Sequence, residues 1–316
     1  MRVFDINYDF IDVENDFKLN ESQYWIVANV ENTTDIKNLV NKFSLDEESM
    51  LECLSEGINP CKIIFYDGYM FLTLSVLELI DEKIHCKELN IYLSKDYIIT
   101  IYKSQIEIIE ELLRDIKTLK NCFILKENPK PAHILYYLID RIIINNYETI
   151  ANLETLADKI EISILKKPMR EHADNLINLR RQVYKIRKNL SPLRYVGDSL
   201  LSNDNNIIDK ENLKYFKSIN DKISKLMIEL ENLISNLALV REAFESEISN
   251  KTNDLMKIFT IITSIFLPLN LFTSMQGMNF ENMPLANNEW GYYYTLGIML
   301  VVSLILLLIF KKKKWL

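Results

Sequence analysis

The sequence predicts an α/β domain with a mixed or antiparallel sheet, then a purely helical region, and finally two transmembrane helices. Three observations predict this fold class. Residues 1–125 alternate short runs rich in Ile, Val, Tyr and Phe with segments of helical spacing, and residues 131–254 show helical spacing throughout. Two later segments, 255–275 and 292–310, carry almost no charge over lengths that cross a bilayer. We therefore expect a large soluble part attached to a two-helix membrane anchor.

Composition and spacing argue against several classes of function. The net charge is −7, and the lysines and arginines are scattered among acids, so nucleic acid is not an expected partner. No glycine-rich phosphate loop follows a predicted strand, so a bound nucleotide is not expected either. The three histidines lie in separate elements without the spacing of a metalloprotease or a catalytic triad, and we expect no enzymatic activity.

The cysteines and the N-terminus indicate a reducing compartment. None of the four cysteines forms a CxxC pair, and Asp5 interrupts the N-terminal segment before any signal peptide could form. Free buried thiols are the expected state.

The α/β domain is predicted over residues 1–125. Strands are expected at 3–6, 25–30, 62–66, 70–77, 88–93 and 97–102. Asp67-Gly68 and Lys95-Asp96 separate adjacent runs closely enough to form hairpins. Helices are expected at 34–43 and 46–56, with Asp46 as the N-cap of the second helix.

Helices alone are predicted next. A helix up to about residue 165 and another over 169–190 form an antiparallel pair within residues 131–195, because Pro168 and Pro192 interrupt the pattern. Neither glycine nor proline occurs between Gly197 and Pro268, and apolar residues there recur at three-four spacing. A stalk helix is therefore expected over 203–254, continuing into the first span.

The anchor consists of a first span at 255–275, an outer loop at 276–291, a second span at 292–310 and a basic tail at 311–316. By the positive-inside rule both termini are cytoplasmic, because lysines flank the spans and the loop carries only acids. The flanking lysines are Lys251, Lys257, Lys311, Lys312, Lys313 and Lys314, and the loop acids are Glu281 and Glu289. The lysines are expected to form a basic ring at the inner mouth or to contact anionic lipid.

A polar stripe runs along the first span. Three-four spacing selects eight positions: Asn253, Met256, Thr260, Thr263, Leu267, Asn270, Ser274 and Gly277. Uncharged polar groups are costly in hydrocarbon, so they face a partner helix or a water-filled lumen. Two helices cannot surround a lumen, so a pore would require several copies of the chain. Met256 and Leu267, with neighbouring Phe259, either close such a path by dewetting or are ordinary packing residues.

The stripe suits one class of ion. Mg²⁺ loses its water reluctantly, so neutral oxygens facing the hydrated ion are expected along its path. Asn253, Asn270 and Asn279 supply amide oxygens at three depths. The stripe contains no carboxylate, His or Cys, which argues against direct coordination of a softer metal such as Zn²⁺.

The motif Gly277-Met278-Asn279 between the two spans resembles the CorA family of magnesium channels. The segments 250–257, 265–268 and 311–316 resemble the same family. The resemblance implies a funnel-shaped homopentamer that passes Mg²⁺, often also Co²⁺ and Ni²⁺, into the cytoplasm down its electrochemical gradient. It implies no cofactor other than the transported Mg²⁺ and a regulatory Mg²⁺. In this family Gly277, Met278 and Asn279 would form the selectivity filter of the cell-membrane channel.

Two positions depart from the family pattern. Gln276 precedes the motif where Tyr is common, and Ser218 occupies a position where family members have an acid that binds regulatory Mg²⁺. Asp221, one turn later, is the candidate replacement ligand or simply a solvated side chain.

Two other functions stay open from the sequence. The chain could be a zinc transporter of the same superfamily, or a non-conducting sensor or scaffold tethered to the membrane. Polar residues on the first span but few on the second favour conduction over a simple anchor.

Overall fold

A computed structural model describes residues 1–13, 22–30, 33–80, 83–118, 120–278 and 290–315. The chain divides into two compact units. The first comprises Met1–Ser163 with Met169–Arg241, and the second comprises Ile164–Pro168 with Glu242–Leu316.

The described residues of the first unit form a mixed sheet, as predicted, with seven strands where the sequence indicated six. Its strands are β1 (Arg2–Asp5), β2 (Ile11–Asp12), β3 (Tyr24–Asn29), β4 (Lys62–Tyr66), β5 (Tyr69–Ile80), β6 (Lys83–Leu93) and β7 (Tyr97–Tyr102). The strand order is β2-β1-β3-β7-β6-β5-β4. The β3–β7 pair is parallel and the other pairs are antiparallel. Both predicted hairpins are confirmed, and Gly68, with φ of +79°, supplies the left-handed residue of the first turn.

Nine α-helices occur in the described parts of the chain. They are α1 (Thr33–Phe43), α2 (Glu47–Leu54), α3 (Glu107–Thr118), α4 (Phe123–Glu127), α5 (Pro131–Lys166), α6 (Arg170–Leu190), α7 (Leu193–Ser202), α8 (Leu213–Gln276) and α9 (Gly291–Lys312). The Asp46 side chain accepts the Ser49 N–H at 3.1 Å, which confirms the predicted N-cap of α2.

One core cluster of the first unit packs one face of the sheet against α1 and α2. Tyr24, Ile26, Phe71, Tyr92 and Ile99 from the strands form one buried cluster with Ile36, Leu39 and Cys53 from the helices. Tyr92 donates a hydrogen bond to Ser49 Oγ at 2.9 Å, so its hydroxyl is satisfied inside this cluster.

The start of the stalk helix differs from the prediction of residue 203. Asn203 adopts a left-handed conformation with φ of 50°, and its side chain binds the Ile208 N–H and C=O at 3.1 and 2.7 Å. This closed turn separates α7 from α8, which begins at Leu213. Residues 203–212 are therefore a connection rather than part of the stalk.

Helix α8 is continuous from the first unit into the second. Its predicted apolar stripe is buried in the first unit up to Val240. The side chains concerned are Phe216, Ile223, Leu226, Leu230, Leu233, Leu237 and Val240. The helix also continues through Pro268, which has no N–H for the Ser264 carbonyl.

Candidate ion pathway

Among the residues that the structure describes, two helices are long and apolar enough to cross a membrane. They are the C-terminal part of α8 and the whole of α9. The apolar stretches of both helices are largely unburied. These segments belong to the second unit.

On each of the two helices, one face is less exposed than the others. On α8 this face contains Ile261, Ser264, Ile265, Leu269 and Phe272. On α9 it contains Gly291, Thr295, Met299, Val302, Ser303, Leu306 and Phe310. Both sets repeat at three-four spacing, so each is a single helix face.

The predicted polar stripe lies on a different face of α8. All eight of its positions from Asn253 to Gly277 are exposed, as is the adjoining Phe259. Leu267 is 72% exposed and Met256 is 60% exposed. Amides and hydroxyls on a membrane-spanning helix require a polar surrounding, so this uncovered face requires water or other copies of the chain.

The hydroxyl groups of the threonines in the stripe donate hydrogen bonds to backbone carbonyls of the same helix. Thr260 Oγ1 donates to the Met256 carbonyl at 2.7 Å, and Thr263 Oγ1 donates to the Phe259 carbonyl at 2.8 Å. A hydroxyl that donates its hydrogen bond to the backbone can still accept a hydrogen bond from a donor outside the helix. The water molecules around a hydrated cation direct their protons outward and are such donors.

The first two residues of the predicted filter form a turn at the end of α8. The Gly277 N–H donates to the Thr273 and Ser274 carbonyls at 3.1 and 3.2 Å, and the Met278 N–H donates to the Met275 carbonyl at 3.3 Å. A Cβ at Gly277 would lie 3.5 Å from the Ser274 carbonyl oxygen, an ordinary contact. Asn279, Glu281 and Glu289 lie outside the described residues.

One of the predicted basic residues has an acidic partner that the sequence reasoning missed. Lys257 Nζ lies 2.8 Å from Asp254 Oδ1, and both side chains are well exposed. Their i,i+3 spacing on one helix face was the available signal. Lys251 and the four lysines at 311–314 are exposed.

No group of three or more His, Cys, Asp or Glu side chains that could hold a metal occurs among the described residues. Asp221 is exposed on α8, as is Ser218 one turn before it. The role of Asp221 in regulation stays a prediction.

The chain combines an α/β unit with a long helix and a second apolar helix, and the first span has an uncovered polar face. These features define a two-span membrane transport protein. Residues 20–312 match the family model described as CorA-like Mg²⁺ transporter protein. The chain belongs to this family.

Individual relatives agree with the family assignment. The cobalt/magnesium transport protein CorA of Thermotoga maritima is 28% identical over 303 residues, covering 95% of this chain and 85% of the relative. The putative metal ion transporter YfjQ of Bacillus subtilis is 25% identical, covering 92% of this chain and 89% of the relative. The complete structure of the CorA magnesium transporter from Methanocaldococcus jannaschii has a TM-score of 0.85 at 21% identity, covering 100% of this chain and 98% of that one. This structural likeness confirms the fold.

Proposed function

We propose that the chain is one subunit of a homo-oligomeric channel that passes Mg²⁺ into the cytoplasm down its electrochemical gradient. The observation that carries this proposal is the uncovered stripe from Asn253 to Gly277, in which five of the eight positions carry an amide or a hydroxyl. Copies of α8 arranged about a common axis would give these groups a shared aqueous lumen, and α9 would then face lipid. The family membership and the names of the relatives support Mg²⁺ as the ion, with Co²⁺ and Ni²⁺ as further candidates.

The remaining parts of the proposal follow from the sequence. A homopentamer in the cell membrane, with both termini in the cytoplasm and the Gly277 end of α8 outside, is expected from the family resemblance and the flanking lysines. Gly277, Met278 and Asn279 select the hydrated cation in this arrangement.

The proposal is tested by reconstituting the full-length protein in liposomes and measuring Mg²⁺ influx with an internal fluorescent indicator. We expect influx into wild-type liposomes and its loss in the Asn279→Ala variant, because the outer amide that receives the hydrated ion is gone. Size-exclusion profiles of the two proteins should agree, which separates lost conduction from lost assembly. Absence of Mg²⁺ influx into wild-type liposomes would instead support a non-conducting scaffold tethered to the membrane.

A further inference from the structure

The chain reverses direction immediately after α9. Lys314 has φ of 56°, and the Trp315 N–H donates to the Phe310 carbonyl at 3.1 Å. A bond from the sixth residue back to the first, with a left-handed residue between, is the Schellman type of helix end. This conformation is unfavourable for lysine, so contacts made by the residue beyond it must offset the strain.

The residue beyond the turn makes such a contact. The rings of Trp315 and Phe310 are stacked, with centroids 5.8 Å apart and an angle of 21° between their planes. Phe310 is 9% exposed and Trp315 is 39% exposed, so the indole lies against the end of α9 with its outer side free. The turn therefore fixes the position of an aromatic ring.

The free side of the indole borders a cleft that also involves α8. The cleft measures about 630 Å³ and is lined by Asn250, Asn253, Asp254, Met256, Lys257, Thr260 and Trp315. Asn253, Met256 and Thr260 belong to the polar stripe proposed above as the ion pathway. Of the described residues in this lining, Trp315 is the one that does not come from α8.

We propose that Trp315 forms part of the inner mouth of the ion pathway and restricts the exit of hydrated cations. This inference rests on the proposed function, because the stripe must conduct for its inner end to be an exit. The left-handed turn at Lys314 puts the indole in the lining of the same cleft as Asn253 and Met256, the residues at the cytoplasmic end of the stripe.

The restriction follows from the chemistry of the ring. A hydrated Mg²⁺ keeps several water ligands, and its hydration shell needs polar groups or more water as neighbours. An indole occupies space at the mouth and supplies few hydrogen-bonding atoms. It therefore narrows the water-filled cross-section of the ion pathway. One such ring from every copy around the axis would form an apolar collar at the exit.

The flux test compares Trp315→Ala with wild type and with Tyr292→Ala in the same liposomes. Tyr292 is 70% exposed near the opposite end of α9, so its variant controls for the loss of an aromatic at a membrane interface. We expect Mg²⁺ influx to rise about two- to threefold in Trp315→Ala and less in Trp315→Phe, which keeps a smaller ring. Tyr292→Ala should match wild type.

Unchanged or reduced influx in an assembled Trp315→Ala protein would overturn the inference. An equal effect of Trp315→Ala and Tyr292→Ala would also overturn it, because both aromatics would then act as lipid anchors. These failures leave wild-type influx intact, whereas absence of wild-type influx is the failure of the proposed function itself.

A second measurement does not depend on the size of the flux. The tryptophan fluorescence of the wild-type protein minus that of Trp315→Phe gives the contribution of Trp315, without those of Trp25 and Trp290. Ni²⁺ added outside the liposomes should quench this difference emission, and it should not do so in the Asn279→Ala background. Difference emission that external Ni²⁺ leaves unquenched would show that passing ions do not come near Trp315.

Discussion

The side chain of Asn146 on α5 pairs with the backbone of β5 at Leu77, on a strand edge that no other strand of the described residues covers. Asn146 Oδ1 accepts the Leu77 N–H at 2.8 Å, and its Nδ2 donates to the Ser75 carbonyl at 2.9 Å. The pairing of β4 with β5 stops at Thr73, so this edge is free of strand contacts at Leu77. Asn146 is completely buried, and one amide therefore satisfies two buried backbone groups.

Replacing Asn146 by Leu should destabilise the first unit by about 2–4 kcal/mol, because a buried N–H and a buried C=O lose their partners. The measurement is the unfolding of the detergent-solubilised full-length protein in urea. Asn152→Leu on the same helix is the matched control, because Asn152 is exposed. Equal unfolding midpoints for the two variants would contradict the role assigned to Asn146.

A second prediction concerns the contact between α7 and α8. A Cβ at Gly197 would lie 2.3 Å from Asn220 Oδ1, and the Asn220 amide is held by Asp198 at 3.0 Å. Gly197→Ala should therefore cost about 1–3 kcal/mol of stability, although alanine favours the helix.

The double variant Gly197→Ala/Asn220→Ala provides the control for this clash. With the amide removed, the alanine has more space, and the helical preference of alanine should recover much of the lost stability. Additive losses in the two single variants and the double variant would show that Asn220 is not the cause.

Sequence patterns predicted the strands best where apolar runs end in turn residues. The strands 62–66 and 97–102 are confirmed at both ends, and Asp67-Gly68 marks one of those ends. Strands β5 and β6 are longer than predicted, because Glu78 and Lys87 form an ion pair of 2.7 Å and allow polar residues within the hairpin. The role of Asn146 was not predictable, since its partner Leu77 is 69 residues away.

The same limit applies to the candidate pathway. Helical periodicity predicted that the residues from Asn253 to Gly277 share one face, since a regular helix fixes that relationship locally. The presence of Trp315 in a cleft shared with this face depends on a left-handed Lys314, and lysine as a residue type does not predict that conformation. Residue spacing alone also says nothing about the loop beyond Met278.

A third prediction concerns the four free thiols. Burial raises the pKa of Cys53 to about 12 and that of Cys61 to about 11. Because the thiolate is the reactive form, neither should react with maleimide at pH 7 until the protein is unfolded. Mass spectrometry of labelled native and denatured protein measures this, and rapid labelling of native Cys61 would contradict its burial.

The same raised pKa values give a pH dependence of stability. The pKa of an unfolded thiol is about 8.5, so above that pH the unfolded chain releases protons that the folded chain retains. The contribution of these thiols to stability is fully present below this pH and is lost as the pH rises towards 11–12. Between pH 8 and pH 10 the free energy of unfolding should fall less steeply in Cys53→Ala/Cys61→Ala than in wild type. Parallel slopes would contradict this linkage.

The fourth prediction uses the ion pair between Lys257 and Asp254 near the Asn253 end of the stripe. Both side chains are exposed, so removing either charge should change stability by less than about 1 kcal/mol. Their effects on cation passage should have opposite signs. Lys257→Gln removes a repulsive charge and should raise Mg²⁺ influx, whereas Asp254→Asn leaves Lys257 uncompensated and should lower it.

Ionic strength distinguishes this effect from a structural one. The Debye length falls from about 10 Å at 0.1 M salt to about 3 Å at 1 M, so both changes in influx should shrink as salt is added. Lys95→Gln, an exposed neutralisation in the first unit, is the control for altered overall charge. Influx that is the same in wild type, Lys257→Gln and Asp254→Asn would place these side chains away from the ions. The lysines at the membrane surface would then contact lipid headgroups, since anionic lipid is the other partner that their charge favours.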